Sequence, residues 1–193
     1  MRYIPAPTVN DVVRSLSIAA TLIALTAPSL AFAQGPGRTR TGFWFNAGLG
    51  WGTADCELCV DQRVGGAAGV LALGGTLSQR LMLGASANAW IRHEGDLTQT
   101  LGALNAIVRF YPFSRGHFYL LAGLGASARE VKTGTAGSTL SVTENGTAAI
   151  LGAAYDFRIA RNVSLTPFAN VIGVDFDGQG TGFTQIGLGI TVH

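Results

Sequence analysis

Two cysteines separated by two residues form the pair with the clearest capacity for chemistry in this sequence. Cys56 and Cys59 are its only two cysteines. Such a pair can form a disulfide, contribute to a metal site or act in thiol redox chemistry. A metal site needs about four ligands and would have to recruit carboxylates or His93, and the βαβ pattern of thioredoxin-like redox proteins is missing. We therefore favour a disulfide that staples a loop, with the metal and redox alternatives left open.

The three histidines are the other candidates for chemistry. An enzyme that cleaves or transfers lipid acyl chains would need a nucleophile within hydrogen-bond reach of a histidine base. Glu94 follows His93, but no serine stands at position 91 or 95, His117 lies at a predicted turn, and His193 is the last residue. These positions form no recognisable catalytic arrangement, so we expect no catalytic, cofactor-binding or metal-binding residues.

Alternation of apolar with polar or small side chains indicates the elements that position these residues. It recurs about eight times and is clearest at the end of the chain, where Ile186, Leu188, Ile190 and Val192 alternate with polar residues or glycine. Side chains of a strand change face at every residue, so the chain builds a sheet with one apolar and one small, polar face. We predict strands at 43–52, 64–77, 81–92, 100–111, 117–129, 147–158, 163–176 and 182–193, with a bulge near Gly173.

The composition predicts which face of the sheet meets lipid. Only 12% of the residues are charged, which is too few for an ordinary soluble surface, and 48% are hydrophobic. Most charges within strands share a face with glycine, whereas a soluble lipocalin-like barrel carries its charges outside. The fold class is therefore all-β: an eight-stranded antiparallel transmembrane barrel with up-and-down topology over residues 42–193. Because 13 basic residues nearly balance 11 acidic ones, we expect no nucleic-acid partner.

The amino-terminal segment has the pattern of a signal peptide. An uncharged stretch from Ser15 to Ala33 follows Arg14 and ends in Ala-Phe-Ala. An uncleaved membrane anchor is the alternative, but Pro28 and the small residues at the end favour cleavage before Gln34. We assign residues 1–33 to the signal peptide and 34–41 to a short linker. Export would place the cysteines in an oxidising compartment.

The connections between the predicted strands distinguish the two ends of the barrel. Short connections at 78–80, 112–116 and 159–162 should face the periplasm, and longer loops at 53–63 and 130–145 should lie outside the cell. Aromatic residues that point outward beside the short connections predict a girdle at the membrane interface: Phe43, Phe110, Phe118, Tyr155 and Phe157.

A polar cluster should point into the lumen near the short connections. Its members are Arg109, Asp156 and Arg158, with Tyr111, Tyr119 and His193 on the same face. The cluster is either a plug or a gated polar path. We favour the plug, because eight strands enclose little more than side-chain volume and buried charges persist when they are paired.

Three stretches carry a resemblance to a known family: 109–112 with 118–125, 152–158, and the terminal strand. The chain resembles the outer-membrane β-barrel domain family, which includes OmpA-like, OmpX-like and opacity-type barrels. The terminal strand is similar to the signal that engages the insertion machinery, and the matching positions are Gln185, Gly187, Ile190 and Val192. The common version of that signal ends on Phe, whereas this chain ends on Val192 and His193.

These observations predict an integral protein of the bacterial outer membrane with a structural or surface-interaction role. A narrow pore or small-molecule transport barrel is the alternative, and a lipid-modifying enzyme is the third hypothesis. The expected partners are outer-membrane lipid, the barrel-assembly machinery during insertion, and an extracellular ligand of unknown identity. We expect a monomer that uses no cofactor.

Overall fold

The computed structural model describes residues 42–55, 63–95, 97–113, 116–135, 138–176 and 178–193. The predicted signal peptide, the predicted linker, Cys56 and Cys59 lie outside these residues. Within the described ranges, no helix is long and apolar enough to cross a membrane.

Eight antiparallel strands form a closed barrel. They are β1 (Phe43–Asp55), β2 (Arg63–Thr76), β3 (Leu81–Glu94), β4 (Leu97–Phe110), β5 (Phe118–Thr135), β6 (Ser138–Tyr155), β7 (Val163–Phe176) and β8 (Gln179–Val192). A two-residue strand, Phe157–Arg158, continues β6 beyond Asp156 and pairs with β7. Each strand pairs with its neighbours along the chain, and β8 pairs with β1 to close the sheet. The predicted fold class is confirmed.

Side chains alternate between lipid and lumen along the strands as predicted. On β8, Ile186 is 64% exposed whereas its neighbour Gln185 is 1% exposed. The outward positions form a continuous apolar belt, to which the following residues contribute: Leu49, Leu71, Leu104, Leu124, Leu151, Val171 and Leu188. A barrel with water around it would not leave this belt exposed, whereas lipid tails cover it favourably.

The predicted aromatic girdle is present on the outer face. All five of its rings are exposed near the barrel end that holds the 77–80 and 159–162 connections. Two of them, Tyr155 and Phe157, also contact each other, with ring centroids 4.6 Å apart. Aromatic rings favour the membrane–water interface, so this end marks one boundary of the apolar belt.

The predicted bulge near Gly173 is wrong. Gly173 pairs with Ala149 on β6 and with Gly182 on β8, and the register does not change there. The apolar residues switch faces instead, because Ile172 and Val174 point into the lumen and are buried. At this level of the barrel, the side chains that face the lumen are apolar. The polarity of a residue therefore no longer shows whether it faces the lumen or the lipid, although the strand remains regular.

The predicted loop at 130–145 is also wrong, because most of it is strand. β5 and β6 are 18 residues long each and stay paired up to Thr135 and Ser138. The glycine and serine content of this segment suggested a loop, but its threonine and valine residues favour strands. Pairing between β5 and β6 also satisfies the backbone N–H and C=O groups of the segment. β7 pairs with β6 only from Thr147 to Ala154. In the described part of the chain, residues 138–146 therefore form a free edge, opposite the edge that pairs with β5.

Candidate functional site in the barrel lumen

Large aromatic side chains fill the lumen, and wall glycines make the room for them. A Cβ added to Gly48 would lie 2.7 Å from the Phe168 ring, and one added to Gly84 would lie 2.8 Å from the Trp44 ring. Trp44 is 1% exposed. The glycine-rich inner face therefore reflects close packing, of the density found in protein cores, and not an open channel.

Asp156 is the centre of a hydrogen-bond network at the end of the lumen that holds the chain terminus. Its carboxylate accepts a 2.9 Å hydrogen bond from the Tyr111 hydroxyl and a 2.8 Å bond from Thr166. His193 Nε2 lies 3.7 Å from the same carboxylate. Each oxygen of this buried acid therefore has a hydroxyl donor, which a buried carboxylate requires.

The network continues into the seam that closes the barrel. The Thr191 and Thr166 hydroxyls lie 2.7 Å apart, and Asn46 Nδ2 donates a 2.9 Å hydrogen bond to Thr191 Oγ1. These side chains belong to β8, β7 and β1. The inward face of the last strand therefore links both of its neighbours inside the lumen.

Arg109 is buried in the lumen without an ion-pair partner. Its guanidinium carbon lies 3.6 Å from the Trp44 ring centroid and 4.8 Å from the Tyr119 ring centroid. Among the described residues, its Nε and Nη1 have no hydrogen-bond acceptor, and no carboxylate oxygen lies within 4.0 Å of the guanidinium. Arg109 and Asp156 therefore share the lumen without pairing directly.

The structure brings most of the predicted polar cluster together, but it excludes Arg158. Arg109, Asp156, Tyr111 and Tyr119 are all buried in the lumen. Arg158 has the inward phase but is exposed, because it lies at the rim beside the 159–162 connection, where a long side chain reaches water. Its assignment to the lumen cluster is therefore wrong.

A second polar layer crosses the lumen farther from the terminus. Gln185 Nε2 donates a 2.7 Å hydrogen bond to Asn88 Oδ1, and Asn88 Nδ2 donates a 3.1 Å bond to Ser86. Trp90 Nε1 donates to the carbonyl of Gly52 at 3.1 Å. Alternation along β3 gives Asn88 an inward face but does not reveal its partner across the barrel, so the contact with Gln185 could not be predicted from the sequence.

A small cavity, the lumen pocket, lies between these layers. Its volume is about 10 Å³, which is room for roughly one water molecule. Its walls are formed by Asn46, Val70, Ala72, Ser86, Asn88, Arg109, Tyr119, Leu121, Ile150, Ala154, Phe168 and Asn170. A cavity of this size favours the plug over a continuous polar path.

The residues of the predicted insertion signal have distinct positions in the folded barrel. Gln185 and Gly187 face the lumen, where a Cβ on Gly187 would lie 2.7 Å from the Phe168 ring. Ile190 and Val192 face outward and are each 41% exposed. Two of the four residues therefore pack in the lumen, and the other two face the lipid.

His93 lies at the exposed outer rim. Its Nδ1 is 2.9 Å from the hydroxyl of Thr98, which pairs with it directly across the β3–β4 hairpin. The hydrogen-bond partner of His93 is thus a threonine, whereas a catalytic arrangement would place a serine or an aspartate beside the histidine. Within the described ranges, no group of three or more side chains could hold a metal ion.

Among the described residues, two ion pairs lie at the outer end of the β5–β6 hairpin. Arg129 pairs with Glu144 at 2.7 Å, and its guanidinium lies 5.5 Å from the Phe176 ring. Lys132 pairs with Glu130 at 3.0 Å. The cations of the β5–β6 hairpin are therefore neutralised by neighbouring carboxylates.

Comparisons with known proteins identify the fold. No protein-family model and no curated protein matches the sequence. Neisserial surface protein A is similar in structure, with a TM-score of 0.58 at 15% identity over 79% of this chain and 97% of that chain. The attachment invasion locus protein Ail of Yersinia pestis gives 0.58 at 16% identity over 78% and 99%. The amino-terminal β-barrel domain of Pseudomonas aeruginosa OprF gives 0.51 at 13% over 78% and 98%.

The closed antiparallel sheet, the apolar outer belt and the aromatic girdle are the features expected of a barrel that crosses a membrane. The solved structures that share this architecture are outer-membrane barrels. The chain has the fold of the small eight-stranded outer-membrane β-barrels.

Proposed function

We propose that this barrel is a surface-interaction protein that uses the β5–β6 hairpin as its contact surface. The observation that carries this proposal is the length of the hairpin. β5 and β6 are 18 residues long, whereas the other six strands of the barrel have 13 or 14 residues. The additional residues extend away from the end that holds the chain terminus, which in this fold is the periplasmic end.

The free edge at residues 138–146 gives the hairpin a means of contact. Unpaired backbone donors and acceptors at a sheet edge can accept a strand from a partner protein. Val142, within this edge, is 63% exposed. A structure of Ail has been solved in complex with a heparin analogue, but here Arg129 and Lys132 are ion-paired, so a polyanion is a less suitable partner than an extended peptide.

The packed lumen supports an anchoring role for the barrel itself. The lumen pocket has a volume of only about 10 Å³, and aromatic rings pack against the wall glycines, which argues against the alternative of a narrow pore. The lipid-modifying enzyme receives no support from His93, whose contact with Thr98 is an exposed cross-strand pair. We further propose that the protein works as a monomer in outer-membrane lipid after insertion by the assembly machinery.

The proposal can be tested by shortening the hairpin. Residues 132–141 are replaced by Asn-Gly, which joins the paired residues Val131 and Val142 through a tight turn. The control replaces only residues 136–137 by Asn-Gly and keeps the hairpin length. Whole cells that carry each variant are tested for adhesion to immobilised matrix proteins, to heparin and to one another.

The short variant should insert as a heat-modifiable barrel and lose most of the adhesion, while the control retains it. Equal adhesion by the two variants would contradict the proposal. Stepwise conductance of the purified protein in planar bilayers would instead favour the pore.

A further inference from the structure

Arg109 lines the lumen pocket and has two donors without an acceptor among the described residues. The side chain is 1% exposed, it forms part of the pocket wall, and its Nε and Nη1 have no acceptor among the described residues. A buried cation without a counter-charge is costly, so native proteins pair such groups. The rings of Trp44 and Tyr119 offset part of this cost through their π faces, but they accept no hydrogen bond from Nε or Nη1.

Among the described residues that line the pocket, Arg109 is the only charged one. The other polar side chains there are amides and hydroxyls: Asn46, Ser86, Asn88, Tyr119 and Asn170. The amides of Asn46 and Asn88 already donate to Thr191 and Ser86, each with one of their two N–H groups in these bonds. The buried carboxylate of Asp156 is engaged by Tyr111 and Thr166 and makes no ion pair with Arg109. The described wall of the pocket therefore offers an anion one positive charge and no formal negative charge.

We infer that the lumen pocket binds one small monovalent anion of about the size of chloride. The guanidinium supplies the charge through Nε and Nη1, and neighbouring amide or hydroxyl donors complete the coordination. The volume of about 10 Å³ admits one small particle, so a monatomic anion suits the pocket better than phosphate, sulfate or an organic anion. The anion would neutralise Arg109 within the plug and need not cross the membrane.

Trp44 provides a local reporter, because heavier halides quench tryptophan fluorescence on contact. Its ring lies against Arg109, and it is as deeply buried as Trp90, which is on a different level of the lumen. Two single-tryptophan proteins are prepared: Trp51→Phe with Trp90→Phe, which keeps Trp44, and Trp44→Phe with Trp51→Phe, which keeps Trp90. Both are refolded in detergent across a range of sodium bromide at constant ionic strength, and heat-modifiable migration verifies folding.

Bromide should quench Trp44 along a hyperbolic curve that chloride reverses and gluconate does not. Trp90 should be quenched much less at the same concentrations, and Arg109→Met should abolish the hyperbolic component at Trp44. Caesium, a cationic quencher, should leave Trp44 unaffected. Equal bromide quenching of Trp44 and Trp90, or quenching of Trp44 that survives Arg109→Met, would overturn the inference.

A second measurement needs no substitution and covers the case in which a variant fails to fold. Crystals of the unmodified protein grown in bromide should show an anomalous peak within hydrogen-bond distance of Arg109 Nε or Nη1. A water molecule without anomalous signal in the pocket would refute anion binding. The surface role of the β5–β6 hairpin does not depend on either result.

Discussion

Gln185 Nε2 on β8 donates a 2.7 Å hydrogen bond to Asn88 Oδ1 on β3, across the lumen and 97 residues away in the chain. Both side chains are buried. Gln185→Leu should lower the free energy of unfolding by about 1–3 kcal/mol, because it leaves the Asn88 acceptor unpaired in a closed lumen. Urea titration of the refolded barrel measures the change.

The double variant Gln185→Leu with Asn88→Leu is the control for this pair. Replacing both partners removes the unpaired acceptor, so the double variant should be more stable than Gln185→Leu alone. Losses that simply add would show that the two side chains do not interact in the folded barrel.

Lipid contact can be tested with two exposed aliphatic residues of β6. Leu151 is 66% exposed in the middle of the apolar belt, and Val142 is 63% exposed in the extended hairpin. Leu151→Arg should destabilise the barrel by about 2–4 kcal/mol, as expected for arginine at the bilayer midplane. Val142→Arg should change stability by less than about 0.5 kcal/mol, because that position meets water. Similar losses in refolding titrations into lipid vesicles would mean that the belt is misplaced.

Because the wall glycines pack against side chains in the lumen, Gly→Ala substitutions should destabilise the barrel on its inner face but not on its outer face. Gly48→Ala should cost about 1–3 kcal/mol, because the new methyl group would overlap the Phe168 ring. Adding Phe168→Leu should recover part of this loss. Gly173→Ala, at a position with no atom within 4 Å of the added carbon, should be neutral or slightly stabilising. Thermal unfolding in detergent compares the variants, and equal effects at positions 48 and 173 would argue against a packed lumen.

The terminal strand should be essential for insertion. Deleting residues 190–193 removes the backbone pairs that β8 makes with β1 from Phe45 to Ala47. Unpaired backbone groups are very costly in lipid, so the truncated chain should not reach the membrane as a heat-modifiable barrel. Replacing the same four residues by Val-Ser-Ile-Gln keeps the alternation and should permit insertion. Heat-modifiable truncated protein in outer-membrane fractions would contradict this expectation.

The sequence predicts the fold well, because alternation depends on a local property of the chain. The lipid-facing side chains of the predicted strands and all five aromatic residues of the girdle lie on the predicted face. Two errors have a common origin in composition. Gly173 suggested a bulge because apolar residues change face there, and residues 130–145 suggested a loop because they are rich in glycine, serine and threonine. The strand ladder, which sequence composition does not reveal, overrides both.

The candidate site was only partly predictable. Inward phase identified Arg109 and Asp156, but it also included Arg158, which reaches water at the rim. The alternation of side chains shows whether a residue faces the lumen or the lipid. It gives neither the position of the residue along the barrel axis nor its contacts. The charge of Arg109 was therefore expected to be paired within the plug, whereas the structure places it against Trp44 and Tyr119.

The seam between the first and last strands also determines when the barrel can assemble. The Asn46 side chain of β1 bonds to Thr191, 145 residues later in the chain. One edge of β1 therefore stays unpaired until β8, the last strand of the barrel, reaches it. Long-range pairing of this kind is slow and exposes the waiting strand to aggregation. The rate of closure therefore sets how long this edge of β1 is exposed to pairing with other chains.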